Sequence, residues 1–491
     1  MSLRQQGAKA TKWTALSMIY TTVFQFLQLI VLSRMLTPED YGIMGMVMVV
    51  VGVAVAFGDM GVTNIVFHKQ DISRDQLSGI YLVNLISGTG VFILMLLSSP
   101  LMAMLFQESR VTAPLYLVSV VFLLTPIGQL YQALLQKEVR FRTLALFDIA
   151  SSTSAFITAF ILASLGYGVY ALVWSQIINL GLKSICCFMV GVRKWKLSYS
   201  YRRQELVEYI RFGSYQIGEK LIHFLSSNFD YILIGRFFGA EILGMYSFAY
   251  NLVIMPVLKI NPVLSQVAMP LLAKIQSRNE QLKVAYYQML RILSMVNAPI
   301  YAGLIATAPY LIPLVFGDKW ESAIVYVQIL AVMGYFRSMI SPVSSLLVAI
   351  GRVDLGFKWT LVLMLVMVPS IAGGAYLGET LGVAIAFVGL QFTFFLLKYA
   401  WIMRHLFNST LLEYLLIGLP AVTISTLMGG TVALIPMMKL ELTPIVILAL
   451  QILTGTALYA LMNWRFNRSA VDYILELTVL RGRRSGINVA G

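Results

Sequence analysis

Cysteine is nearly missing. Cys186 and Cys187 are the only two in 491 residues, they are adjacent, and they lie inside an apolar run, which excludes a disulfide framework and a spaced thiolate metal site and assigns both to packing. Histidine is almost as scarce: there are three, and His68 and His405 fall at loop edges. No nucleophile, base and acid set stands out, so no catalytic residue and no metal are expected. Charge is the third shortage, because only 12% of the residues are charged against about 25% in an ordinary soluble domain. No phosphate-cradling glycine loop occurs, which argues against direct ATP hydrolysis by this chain.

What fills the chain is hydrocarbon. Hydrophobic residues make up 59% and the mean hydropathy is +0.80, which defines an all-α, polytopic integral membrane protein. The net charge of +14 raises the question of nucleic acid, but that needs basic residues clustered on one soluble face. Here they are spread over short loops, so no nucleic-acid partner is expected. The run from Trp13 to Ser33, behind Arg4, Lys9 and Lys12, is too long for the core of a signal peptide and reads as an uncleaved first span.

Segments of spanning length occur near 13 to 33, 42 to 64, 79 to 105, 112 to 135, 143 to 165 and 169 to 191. Further ones follow near 211 to 236, 244 to 268, 284 to 308, 323 to 350, 359 to 378, 381 to 403, 411 to 436 and 444 to 463. That predicts about 14 transmembrane helices. With a cytoplasmic N-terminus, the inside connections hold 25 of the 36 Lys and Arg, whereas the opposite loops hold only Arg34, Arg110, Arg236, Lys319 and Lys439. The excess of positive charge on one side places both termini in the cytoplasm.

An internal repeat is legible. Arg34, Glu39 and Gly42 recur as Arg236, Glu241 and Gly244 at an offset of 202, and Pro126, Leu130 and Ala133 recur as Pro342, Leu346 and Ala349 at an offset of 216. Two six-helix repeats that start on the same side of the membrane are a transporter plan with the substrate site at the repeat interface. The expected organisation is a six-helix lobe over 1–192, a cytoplasmic linker over 193–211, a second six-helix lobe over 212–404, and two extra helices with a basic tail over 405–491.

The stretch from Arg211 to Arg236 is long enough to cross a bilayer but is striped. At 100° per residue Gln216, Glu219, Lys220, His223, Ser226, Ser227 and Asp230 share one face, while Ile217, Leu221, Leu225, Phe229 and Ile232 point elsewhere. Charges facing lipid cost about 2.5 to 3.5 kcal/mol each on insertion scales, so this stripe is expected to line an interior cavity. The alternative is an internal ion pair that only glues helices together.

The loop Arg34-Met-Leu-Thr-Pro38-Glu39-Asp40-Tyr41-Gly42, the connection Gln136-Lys137-Glu138-Val-Arg-Phe141 and the turn Phe316-Gly317-Asp-Lys-Trp320 resemble the polysaccharide transport family of flippases, over nearly the whole chain. The likeness is to the capsule and colanic-acid type within the multidrug/oligosaccharidyl-lipid/polysaccharide exporter superfamily. It implies a V-shaped, two-lobed transporter of the bacterial inner membrane. Such a protein turns a polyprenyl-pyrophosphate-linked oligosaccharide from the cytoplasmic to the periplasmic leaflet by alternating access, beside polymerase and chain-length partners. Relatives that flip the peptidoglycan lipid precursor use arginines in their first two spans. Here Asp59 is the one charge between Trp13 and Asn64 outside the Arg34 to Asp40 loop.

A phosphate and sugar head group needs cations and neutral hydrogen-bonding groups. Lys220, His223, Lys183, Lys259 and Arg337 are candidates for the first role, and Gln25, Gln28, Gln129, Gln132, Gln216, Ser226 and Asn228 for the second. Lys220 and Arg337 lie deepest in their spans, whereas Lys259 and Lys398 are near enough to an interface to snorkel. The lipid tail can stay among membrane lipids. No cofactor is expected. Glu219, Asp230 and Asp59 are candidates for proton or sodium coupling, since a carboxyl in a low-dielectric cavity can carry a proton near neutrality, with helix capping or pairing as their alternative. Pro256 and Pro262, with Asn251, predict a bent or broken eighth span. The competing functions are a multidrug exporter of the same superfamily and a membrane-embedded polysaccharide polymerase or ligase.

Overall fold

The computed structural model describes residues 3–58, 66, 73–198, 220–221, 224–225, 227–438 and 442–466, and among them there is no strand. It contains twelve helices long and apolar enough to cross a membrane. The first compact unit is Met1–Ser247 and the second Phe248–Gly491.

In the first unit, α1 (Leu3–Met35), α2 (Pro38–Gly58) and α3 (Arg74–Phe106) are followed by α4 (Thr112–Ser119), α5 (Val121–Lys137), α6 (Phe141–Ser164) and α7 (Val169–Lys194). Residues 12–35 form the spanning part of α1. The opening of α2 explains the first motif: Thr37 Oγ1 accepts from the Asp40 N–H at 3.2 Å and Asp40 Oδ2 accepts from the Thr37 N–H at 2.9 Å. This is a reciprocal cap with proline at the first helical position and acids in the first turn. Glu39 is then held by Arg110 at 2.6 Å. Arg110 also pairs with Glu108 at 2.8 Å, which holds the Glu108 carboxyl below the usual carboxylate range. Leu77 and Ile80 of α3, Leu130, Tyr131 and Leu134 of α5, Leu144 of α6 and Cys187 of α7 form one buried cluster, so Cys187 is the packing residue expected.

The α8 helix (Phe229–Lys274) carries the boundary between the units. Its one non-helical residue is Gly239, at φ 83°, a backbone state that costs glycine little. The helix runs on through Pro256 and Pro262 without a break, while Gly239 turns the chain between the seventh and eighth expected spans. A membrane helix tolerates proline where neighbours satisfy the freed carbonyls.

In the second unit α9 (Asn279–Phe316), α10 (Ala323–Ile340), α11 (Pro342–Ala349) and α12 (Val353–Lys398) lead through a π turn at Tyr399–Met403 into α13 (Arg404–Phe407), α14 (Leu411–Leu434) and α15 (Pro444–Phe466). The α12 helix is 46 residues long and breaks at Gly378 and Glu379. A straight helix of that length would extend about 69 Å, more than twice a ~30 Å bilayer core, so the break divides it into the two spans expected near 359 to 378 and 381 to 403. Close backbones confirm the hairpin: a methyl group on Gly374 would lie 2.5 Å from the Gly382 carbonyl oxygen. The third motif is a core anchor. Trp320 is fully buried and stacks on Phe248 at 4.2 Å, while Phe316 meets the same ring edge-on at 4.9 Å.

Each expected span other than the seventh thus meets an observed helix. The N-terminal part of the seventh, with residues 211–219, lies outside the described residues, so the count of fourteen is not reached among those described.

Candidate functional site

Two sets of polar residues sit at membrane depth, one in each unit. In the first unit a cavity of about 360 Å³ is lined by Thr125, Gln129, Gln132 and Gln136 of α5, by Lys183 and Ser184 of α7, and by Gly58, Gly88 and Phe122 among the smaller and apolar walls. The α5 residues are spaced four, three and four apart, which places them on one helical face.

Pro126 lies inside this helix and removes the bond that the Phe122 carbonyl would receive. Neighbours bond to the backbone around the proline. Asn84 Nδ2 donates to the Pro126 carbonyl at 3.0 Å, and Ser184 Oγ lies 2.6 Å from the Leu124 carbonyl while accepting from the Gly128 N–H at 2.8 Å.

Lys183 meets Asp148 Oδ1 at 2.6 Å. Both side chains keep about a quarter to a third of their surface exposed, 25% and 31%, and Lys183 lines the cavity. Asp148 was missed by the sequence reasoning. Its signal was there, a lone acid inside the apolar 143 to 165 run, but its partner lies on another helix.

In the second unit Arg337 of α10 donates from Nη1 to the Tyr250 hydroxyl at 2.8 Å, with its guanidinium 5.9 Å from the centre of that ring. Among the described residues no carboxylate lies within ion-pair distance of Arg337. A guanidinium has five donors, and a tyrosine hydroxyl occupies one of them without cancelling the charge, which leaves a planar fork suited to a phosphate. Lys259 is half-buried. Asn261 donates to the Ser338 carbonyl at 2.9 Å, the group that Pro342 leaves without its helical donor.

Lys398, for which a snorkelling course was one expectation, is instead buried. Its Nζ donates to the Ile340 carbonyl at 2.9 Å and sits 5.3 Å from the Trp359 ring centre.

The remaining candidates separate. Lys220 is helical and half-buried. Gln28 Nε2 donates to Ser175 Oγ at 2.9 Å, which ties α1 to α7, while Gln25 is exposed. Asn228 donates to the Phe224 carbonyl at 2.9 Å, a local helical contact. Asp230 is fully buried, and its Oδ2 accepts from the Tyr246 hydroxyl at 2.7 Å. Gln216, Glu219, His223, Ser226 and Asp59 lie outside the described residues. Among the described residues no group of three or more His, Cys, Asp or Glu could hold a metal ion.

A helical bundle with polar residues held inside its spans is the build of a multi-pass membrane transporter. Known structures share the fold. The lipid II flippase MurJ in an inward closed conformation superposes with a TM-score of 0.75 at 14% identity, covering 94% of this chain and all of that one. An inward-facing multidrug resistance MATE transporter gives 0.59 at 15% identity over 79% of this chain and 94% of its own.

Residues 31–325 match the model of the polysaccharide biosynthesis protein family, and the chain belongs to that family. Among relatives, the teichuronic acid biosynthesis protein TuaB of Bacillus subtilis is 32% identical, over 84% of this chain and 85% of its own. The lipopolysaccharide biosynthesis protein WzxC of Escherichia coli is 27% identical over 87% and 89%. The succinoglycan biosynthesis transport protein ExoT of Rhizobium meliloti is 22% identical over 96% of each.

Proposed function

We propose that the protein is a flippase, not an enzyme, that carries a polyprenyl-pyrophosphate-linked oligosaccharide from the cytoplasmic to the periplasmic leaflet of a bacterial inner membrane for polysaccharide biosynthesis. The observation that carries this reading is the row of glutamines with Lys183 around a cavity inside the spans, in a chain whose relatives bear the names of polysaccharide biosynthesis proteins. Neutral amides suit sugar hydroxyls, and a cation beside them suits phosphate. Arg337 offers a cation of the same kind in the second unit, and Lys220, Lys259 and His223 are further candidates.

The same proposal includes both termini in the cytoplasm, lobes over 1–192 and 212–404 joined by the linker 193–211, helices over 405–491, and work beside a polymerase and a chain-length partner. It also includes proton or sodium coupling through Asp230, with Glu219 and Asp59. Transport in proteoliposomes should fall when the coupling gradient is collapsed; an unchanged rate removes the coupling.

The test of the main reading is direct. Purified protein is reconstituted with a polyprenyl-pyrophosphate oligosaccharide, and the access of an added glycosidase to the sugar is followed over time. Vesicles holding the protein should expose the inner-leaflet pool at a rate that empty vesicles lack. Equal rates would remove the proposal.

A further inference from the structure

The repeat read from sequence has a counterpart in space. At the offset of 202 residues, Pro38 corresponds to Ala240 and Gly42 to Gly244. A methyl group on Gly42 would lie 1.7 Å from the Ala240 carbonyl oxygen, and one on Gly244 would lie 1.7 Å from the Pro38 carbonyl oxygen. Each glycine therefore presses its bare α-carbon on the carbonyl that is the repeat partner of the one its mate touches. The contact is reciprocal, as a two-fold arrangement requires.

It continues inward along α2. Gly45 faces Leu243 at 3.4 Å from a built methyl, and a methyl on Gly52 would fall within the Phe224 ring, 1.9 Å from its nearest atom. Gly42 to Gly52 spans about 15 Å of helix. The contact begins at the membrane face opposite the N-terminus, since α1 has crossed before α2 starts.

The forces holding it are weak. At its outer end, α-carbon hydrogens meet carbonyl oxygens. The charge pair of Glu39 with Arg110 at 2.6 Å lies wholly within the first repeat. A closure made at its outer end by backbone against backbone can part and re-form.

Resting on the flippase reading, we infer that Gly42 and Gly244, backed by Gly45 and Gly52, are the gate that seals the far end of the transport path, and that it parts in each cycle to release the head group. An added methyl at either outer glycine removes the seal, because the obstacle is backbone that cannot rotate away.

The experiment uses the full chain with Cys186→Ala and Cys187→Ala, into which Gly45→Cys and Leu243→Cys are placed together. Oxidation should cross-link them and stop the flipping of lipid-linked oligosaccharide, and reductant should restore the rate of the same double variant before oxidation. Cross-linked protein that flips at the reduced rate, or a pair that does not cross-link, would overturn the gate. Gly42→Ala, at normal protein level, should lose most transport, and full transport would also overturn it. A substrate-free readout separates the two readings. Labelling of Gly45→Cys by a bulky impermeant maleimide should rise severalfold when Gly42→Val is added, and unchanged labelling counts against the gate. A Cys-free parent that flips nothing counts against the flippase instead.

Discussion

Lys183 keeps its charge inside a span because Asp148 stands 2.6 Å from it. Removing one partner leaves the other uncompensated, while removing both does not. Lys183→Met should therefore lower stability in detergent by about 1–3 kcal/mol, between the exposed-pair and buried-pair ranges because both groups are partly exposed. The double variant with Asp148→Asn should recover part of that, and thermal unfolding of the single and double variants measures the coupling. At Arg337 the fork is at stake rather than the charge. Arg337→Lys should keep only part of the polymer export at matched protein level and Arg337→Ala less, since an ammonium cannot bind phosphate in two parallel bonds. Glu108, in the loop, gives a pH signature. Arg110 lowers its carboxyl below the ordinary range, so the stability it adds is fully present above the unfolded value of about 4.3 and is lost as pH falls through the lowered one. The thermal stability gap between the natural protein and Glu108→Gln should close along that descent.

At the scale of helices, the hairpin within α12 depends on two backbones in contact. Gly374→Leu would drive a side chain into the Gly382 carbonyl, 2.5 Å from its first carbon, and should sharply reduce the amount of inserted protein, read by immunoblot of membranes, whereas Gly373→Leu, with open space around it, should not. The comparison also shows what the sequence could and could not disclose. Span positions were legible because length and apolarity alone decide them. Gln129 and Gln132 were legible as hydrogen-bonding candidates, yet Asp148 was not tied to Lys183, because spacing within one helix says nothing about which neighbour lies across. Pro256 and Pro262 suggested a bent or broken eighth span that stays helical there, and the positive φ at Gly239 ends the seventh span rather than breaking the eighth. Missing donors are easily repaired inside a bundle, whereas a positive φ is a demand that only the surrounding chain reveals. The loop motifs marked the family, but their physical work, a helix cap at Thr37 and a buried Trp320, emerged only with the packing.

For the molecule as a whole, orientation is the open choice that charge decides. Reporter fusions at Met1 and after Phe466 should be active in the form that requires cytoplasm, and a fusion in the Arg110 loop in the form that requires the periplasm; the opposite pattern would reverse the assignment. The repeat makes a matching expectation for the Lys319 loop. One last property follows from the α9 rod. Its 38 residues extend about 57 Å, nearly twice the ~30 Å oily layer. A rod with that much overhang can slide along its axis without stranding its ends in oil, so thickening the surrounding lipid by a few ångströms should trouble this helix far less than 22-residue Pro444–Arg465, whose reach barely matches the film.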